Sequence, residues 1–251
     1  MSPRIADCEL THVTRVPIDP GRASAQHHAY CQALAELGAR VEWLAPLPQH
    51  ADGVFVEDTA VVVDEVAIVA RPGVASRRME TASMADALKR HRPVRDLPDA
   101  ACLEGGDVMR VGRVLYVGRS ARTNQAGIDG LAAELAEFGY QVRDVDLKGC
   151  LHLKTACTYI PFGLLLYNPA WIDPTLFPDL RPIAVDPSEP FGANTLTLGG
   201  TTLVGAQFPR TRERLEAEGI RTRAVDLSEL AKAEGALTCS SVIVGLRTSD
   251  S

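Results

Sequence analysis

Residues 103–128 read LEGGDVMRVGRVLYVGRSARTNQAGI, and the fold turns on how this stretch is parsed. A short valine-rich run is followed by a tight turn at Gly112-Arg113 and a second apolar run. That is the pattern of a β-hairpin, because β-branched residues suit strands and Gly-containing pairs suit tight turns. A loop carrying Arg119 and Arg122 then leads into a segment with helical spacing. The same order recurs twice. Residues 55–80 read FVEDTAVVVDEVAIVARPGVASRRME, with the turn at Asp64-Glu65, and residues 193–215 read ANTLTLGGTTLVGAQFPRTRERL, with the turn at Gly199-Gly200.

Two fainter units complete the pattern. Residues 151–171 (LHLKTACTYIPFGLLLYNPAW) place a turn at Pro161–Gly163 between apolar runs. A fifth unit is split across the ends of the sequence, pairing TCSSVIVG at 238–245 with ADCELTHVT at 6–14. Asp58 to Asp107 is 49 residues, Asp107 to Thr158 is 51 and Thr158 to Asn194 is 36, so the repeat is approximate. Repeats of this size build solenoids, propellers or closed rings. Helices are predicted over Ser24–Gly38, Met84–Arg90, Ala126–Gly139 and Arg210–Gly219. In the third, Ile128, Leu131, Leu135 and Phe138 fall on one helical face and a glycine ends the run. The expected architecture is α/β: a single domain over 1–251 in which five hairpin-plus-helix (ββαβ-like) units surround a pseudo-fivefold axis, as in a five-bladed propeller. Loops and strand ends would meet at a central cleft, the usual place for a ligand.

The 251 residues are 46% hydrophobic and 23% charged, with 26 basic against 32 acidic side chains and a net charge of −6. An acidic balance gives no support for non-specific binding to nucleic acid or to an anionic membrane, and a small-molecule substrate is expected instead. No run reaches the ~20 apolar residues of a membrane span, and the start has no apolar core of signal-peptide length. Six cysteines without a CxxC pair, in a chain this large, read as free thiols of a cytoplasmic protein. Cys150, His152 and Cys157 do not have zinc-ribbon spacing and have no fourth ligand nearby, so no metal and no cofactor is expected. Oligomeric state is left as monomer or homodimer.

Candidate chemistry lies at the ends of the repeats. Cys239 follows a Gly-containing loop and begins an apolar run, so a strand end would present its sulfur at the cleft; a buried, inert thiol is the alternative. His152 stands between two leucines at the predicted start of a strand, where Leu151 and Leu153 would face away from it. It is either a general acid/base or a hydrogen-bonded structural histidine. Glu57, Asp58, Glu104 and Asp107 interrupt apolar sequence and need partners if buried. Those partners are either arginines of the following loops, among them Arg77, Arg78, Arg119 and Arg122, or a cationic ligand such as a guanidinium. Acid at one end of a pocket and base at the other would suit a free amino acid with a guanidinium side chain.

FVEDTAVV, RPGVASRR, LEGGDVM, GRSARTN, LHLKTA and TCSSVIV occur in the order seen in the dimethylarginine dimethylaminohydrolases, and the chain resembles that family over essentially its whole length. The resemblance implies the pentein (guanidino-group-modifying) fold, which is the five-bladed ring described above. It also implies hydrolysis of asymmetric dimethylarginine and monomethylarginine to citrulline, through a thiouronium-type adduct on Cys239. His152 would be the general acid/base and Glu104 its orienting partner. Asp58 would grip the guanidinium, Arg77 and Arg122 the substrate carboxylate, and Asp52 the α-amino group. Leu10 would offer a backbone carbonyl, and Glu57 would contact substrate or pair with an arginine.

Relatives acting on unsubstituted arginine usually carry aspartate two residues after the histidine. Lys154 stands there, which removes contacts to the unsubstituted nitrogens and favours a methylated substrate. Alternatively, Lys154 points outward and the substrate is arginine. Ala233-Glu234 replaces an apolar residue followed by aspartate near the cleft mouth. The competing readings are an arginine deiminase or other guanidine hydrolase, an amidinotransferase, and a non-catalytic binding protein of the same fold.

Overall fold

Period-2 alternation in the short strands places apolar side chains on both faces of each hairpin, so every sheet needs cover on two sides. A computed structural model, which describes residues 1–245, shows how that cover is supplied. Four sheets of three strands follow one another along the chain. In the first, β1 (Ala60–Val62) and β2 (Ala67–Val69) form the antiparallel hairpin, and β3 (Val94–Asp96) returns parallel to β2 after α2 (Thr81–Leu88). The second sheet is β4 (Val108–Val111), β5 (Val114–Arg119) and β6 (Gln141–Asp146), with α3 (Gln125–Leu135) before the return strand. The third is β7 (Cys157–Ile160), β8 (Leu164–Tyr167) and β9 (Arg181–Ala184); its crossover carries only a 3-10 turn at Pro174–Leu176. The fourth is β10 (Leu196–Leu198), β11 (Thr201–Gly205) and β12 (Thr222–Val225), crossing through α5 (Pro209–Ala217). All four predicted turns fall between paired strands.

The buried side chains show why the sheets close into a ring. Leu115 and Val117 of β5 join Val61, Ile68 and helix α3 in one apolar cluster, while Met109 and Tyr116, on the opposite face, join Cys157 and Leu165 of the third sheet. Ile160, Leu164 and Leu166 then pack with Val204 and Leu215. Leu203 and Val225 pack with α1 (Pro20–Glu36) and α6 (Ser228–Ala231). Ala60, Ala67, Met84 and Leu88 meet Val242 and Val244, which closes the circle. Each cluster is a junction between successive units, so the core is a ring of interfaces rather than one central mass. Along the axis, β1, β4, β7, β10 and residues 241–245 line a cavity of about 390 Å³.

The fifth unit differs from expectation. Within the described residues, 238–245 and 6–14 form no hairpin: Thr238–Ser240 and Ile5–Asp7 are 3-10 turns, and 241–245 are not paired into a sheet. The N-terminal backbone finds carboxylates instead of a partner strand. Glu9 N donates to Asp52 at 3.1 Å, and the N–H groups of Thr11 and His12 both donate to Glu234.

Helix starts follow capping chemistry. Asp19 accepts from Arg22 N with Pro20 in the first turn, so α1 begins four residues earlier than periodicity suggested. Asn124 caps α3 by accepting from Gly127 N at 2.8 Å. A Cβ on Gly127 would overlap the carbonyl oxygen of Cys102, where the helix crosses the preceding loop. Gly127→Ala, which in an open helix gains up to about 1 kcal/mol, is therefore expected to destabilise the protein by about 1–3 kcal/mol through overpacking. Denaturant unfolding of the two proteins checks this.

Candidate active site

The loops that leave the four sheets and the fifth unit converge on one end of the axis, and the predicted residues arrive there on short, tightly wound segments. Glu57 and Asp58 lie on a 3-10 turn, Val56–Thr59, and Glu104 immediately precedes another, Gly105–Asp107. His152 has extended backbone and precedes α4 (Leu153–Ala156), a single helical turn. The expected strand start is thus displaced to Cys157. Cys239 is on the Thr238–Ser240 turn rather than at the head of a strand. These segments pack against one another, and Asp58, Glu104, His152 and Cys239 are all buried.

Glu104 is the hub. Its Oε2 is 2.7 Å from His152 Nε2, and its Oε1 accepts from Gly73 N at 3.1 Å and lies 3.4 Å from Arg122 Nη1. The other ring nitrogen of His152 is 3.9 Å from Asp58 Oδ1, which also accepts from Gly106 N. Gly106 is required by this approach, because a Cβ there would lie 2.6 Å from His152 Nδ1 and 2.8 Å from Asp58 Oδ1. Burial alone would lower the His152 pKa, but the carboxylates of Asp58, Asp107 and Glu104 outweigh it and push the imidazole up to about 9. Burial also works against ionised Asp58, yet His152 and Arg77 together hold its carboxyl below the usual range. Cys239 is shifted the other way. Burial, with Glu57 and Asp58 facing it, raises the thiol well above its ordinary value.

Of the four buried carboxylates, Asp58 and Glu104 pair with arginines of the loops that follow them. Arg77 Nη1 is 2.7 Å from Asp58 Oδ2, and its remaining nitrogens donate to Glu80 and to the carbonyls of Asp52 and Phe55. One Nη1 hydrogen is left over from these bonds. Arg78 and Arg119 are exposed; Arg78 bonds the Pro72 carbonyl and Arg119 pairs with Asp144, so neither faces the cleft. Arg122 reaches it, with Nη2 donating to Thr11 Oγ1 at 3.0 Å. Asp52 is buried and holds Glu9 N, and Leu10 lies half-buried between these two anchors of the N-terminal strap.

Glu57 pairs with Lys154 rather than with an arginine, and accepts from Thr238 Oγ1 at 2.7 Å. Lys154 therefore does not point outward; it lines the axial cavity together with Glu57. Asn194 completes this wall. It accepts from Thr238 N, donates to Thr238 Oγ1 and donates to the Lys154 carbonyl. Asn194, Thr238 and Glu80 were not singled out from the sequence as site residues. A signal for Asn194 existed, since it occupies the repeat position of Asp58, Asp107 and Thr158. Asp58, Glu104 and His152 are also dense enough to surround an ion. Their facing atoms are engaged with one another, with Arg77 and with Arg122, so no ligand set is assigned.

A buried thiol on one turn and a buried histidine between carboxylates on its neighbours, set in a ring of strand-hairpin units, belong to a pentein-fold enzyme that hydrolyses amidines, as the relatives of the chain show. A sequence profile described as "N,N dimethylarginine dimethylhydrolase, eukaryotic" matches residues 16–156. The chain is 40% identical to an N(G),N(G)-dimethylarginine dimethylaminohydrolase of Streptomyces coelicolor, covering 96% of this chain and 93% of that protein. It is 34% identical to the Pseudomonas aeruginosa protein of the same name, covering 89% of each. The structure of a variant of the Pseudomonas enzyme complexed with citrulline superposes with a TM-score of 0.88 at 32% identity, over 95% of this chain and 94% of that one. The N-terminal domain of a cyanobacterial arginine dihydrolase shares the fold, with a TM-score of 0.81 at 23% identity, covering 90% of this chain and 87% of that one. The chain belongs to the dimethylarginine dimethylaminohydrolase family.

Two outcomes follow from these charges. The folded pKa of His152 lies above its ordinary 6.5, so its contribution to stability is complete below about pH 6.5 and is lost as pH rises through about 9. Thermal melts of the wild type and of His152→Gln should therefore converge over that window, and a pH-independent gap would contradict the assignment. Lys154→Met leaves Glu57 buried without its cation and is expected to cost about 3–5 kcal/mol in denaturant unfolding.

Proposed function

We propose that this protein hydrolyses Nω-methylated arginine to citrulline and a methylamine, with Cys239 as nucleophile and His152 as general acid and base, in a single catalytic domain. The observation that carries this reading is the geometry of the cleft: buried His152 lies 2.7 Å from Glu104 and 3.9 Å from Asp58, and buried Cys239 sits on the turn packed against that of Asp58. Burial with Glu57 and Asp58 raises the thiol, and Asp58, Asp107 and Glu104 raise the imidazole. A guanidinium entering between Asp58 and Cys239 adds the positive charge that thiolate formation needs, so substrate binding itself lowers the thiol pKa as the proton leaves to solvent.

Cys239 thiolate then attacks the central carbon of the guanidinium, giving a neutral tetrahedral adduct. His152 donates its proton to the substituted nitrogen, the C–N bond breaks, and dimethylamine or methylamine departs. A thiouronium cation remains on the sulfur. Neutral His152 takes a proton from water as the oxygen attacks that carbon. The C–S bond breaks, and the sulfur takes up the proton left on the new carbonyl oxygen, releasing citrulline.

Glu104 keeps the imidazole oriented through both proton transfers. Asp58, held by Arg77, receives the guanidinium. Arg122 meets the substrate carboxylate, where the spare Nη1 hydrogen of Arg77 is also available, and Asp52 meets the ammonium beside the Leu10 carbonyl. Glu57, committed to Lys154 and Thr238, forms the floor beneath the guanidinium. With Lys154 occupying Glu57, no second carboxylate is free to bind the unsubstituted nitrogens, which supports the methylated substrate over arginine.

Citrulline release from asymmetric dimethylarginine and from arginine, measured side by side with a chelator present, tests the reading. Faster release from the methylated substrate is expected, and release mainly from arginine would overturn the specificity. Cys239→Ala should lower kcat by at least a thousandfold with the melting temperature retained; normal kcat would exclude it as the nucleophile.

A further inference from the structure

Asp107 is fully buried, yet none of the roles above uses it. Its Oδ2 accepts from Ser120 Oγ at 2.6 Å and from Thr123 Oγ1 at 2.7 Å, and its Oδ1 accepts from Leu153 N at 2.9 Å. The bonds run to separate pieces of the cleft. Ser120 Oγ accepts in turn from Arg122 N at 3.0 Å, and Thr123 Oγ1 from Glu104 N at 3.2 Å. Leu153 N is the first N–H of the helical turn that follows His152, and the His152 side chain supplies no cap of its own. One carboxylate thus ties together the loop of Arg122, the backbone of Glu104 and the backbone of His152. Three donors converge on its two oxygens, an arrangement that satisfies the charged form, while burial outweighs them and raises the carboxyl above its usual value.

We propose that Asp107 is the positioning residue that fixes His152 relative to Arg122, through a carboxylate that binds the loop of one and the backbone of the other. This rests on the function proposed above for the same cleft. The charged groups around the imidazole are Asp58 from the Val56–Thr59 turn, Glu104 before the next turn and Asp107 at its end. Arg77 pairs with the first of these and Arg122 with the second. Asp107 has no arginine among its hydrogen-bond partners, which are two hydroxyls and a backbone N–H. Its field at His152 is therefore opposed less directly than theirs. Because the geometry of the acid/base and of the carboxylate-binding arginine runs through the same side chain, disturbing it should change proton affinity and substrate capture in separable ways.

The test uses the full chain and two variants. Asp107→Asn keeps the side-chain volume and an oxygen for Leu153 N while removing the charge. Asp107→Ala removes the bonds as well. His152 is followed by NMR of the labelled ring without substrate, and kcat and KM for asymmetric dimethylarginine are measured across pH. In Asp107→Asn the His152 midpoint is expected to fall by about one unit, a tenfold loss of proton affinity. The basic limb of kcat should move with it, and KM should stay within about threefold of wild type. In Asp107→Ala the KM is expected to rise about tenfold as the Arg122 loop loosens. An unshifted His152 midpoint in Asp107→Asn overturns the proposal whether or not activity is lost, since loss without a shift would be a packing effect. Should the alanine variant not fold, the asparagine variant alone decides. Failure of the wild-type chain to act on asymmetric dimethylarginine would overturn the proposed function instead, because the ring titration needs no turnover.

Discussion

Charge buried away from water has to be matched by charge, and the cleft of this protein is arranged around that constraint. Asp58, Glu104, Arg77, Arg122 and His152 are all buried. An unpaired ion in such a place costs several kcal/mol, and removing one partner of a buried pair leaves that cost standing. The solution is a chain of contacts: Glu80 to Arg77, Arg77 to Asp58, Asp58 to His152, His152 to Glu104 and Glu104 to Arg122. The members come from the first three units of the ring, so the pairing forms only when those three units are docked together. The junction clusters of apolar side chains bring the segments together, and the charges then fix them relative to one another.

The proposed attack of Cys239 on a cation depends on the same chain. Asp58 raises both the Cys239 thiol and the His152 imidazole, so in the scheme proposed above one more positive charge beside it favours the thiolate. A guanidinium supplies it, and no metal step is needed in the scheme proposed above. Below the reacting centre, the Lys154–Glu57 pair with Thr238 and Asn194 forms a polar floor. It borders the axial cavity and fixes the residue next to Cys239.

How much of this was legible in the sequence depends on how local the cause was. The hairpins were readable because a strand–turn–strand pattern is written in adjacent residues, as at Gly112-Arg113 and Gly199-Gly200. The pairing of acidic residues with the arginines of the following loop was readable as one of two options, and Asp58–Arg77 and Glu104–Arg122 realise it. The backbone at His152 and Cys239 was not. Apolar neighbours suggested strands there, but Leu153 N is drawn to Asp107, some 46 residues away in sequence, and winds a helical turn. The fifth unit failed for a related reason. Its N-terminal N–H groups are satisfied by Asp52 and Glu234, carboxylates that no local pattern pairs with residues 9–12. Asn194 acts on two segments at once, and only the repeat register hinted at it.

The N-terminal strap has a consequence for selectivity. It already gives Asp52 an N–H donor, through Glu9, and gives Arg122 an oxygen acceptor, through Thr11. An amino acid that takes these two residues by its ammonium and carboxylate therefore exchanges one set of polar partners for another of the same kind. Such an exchange is close to balanced, because each hydrogen bond gained replaces one released. The backbone end of the ligand then works as a gauge of length and handedness more than as a source of affinity. In the proposed reaction the decisive free energy is left to the far end of the side chain, where Asp58 and Cys239 would meet a cation that nothing in the strap imitates.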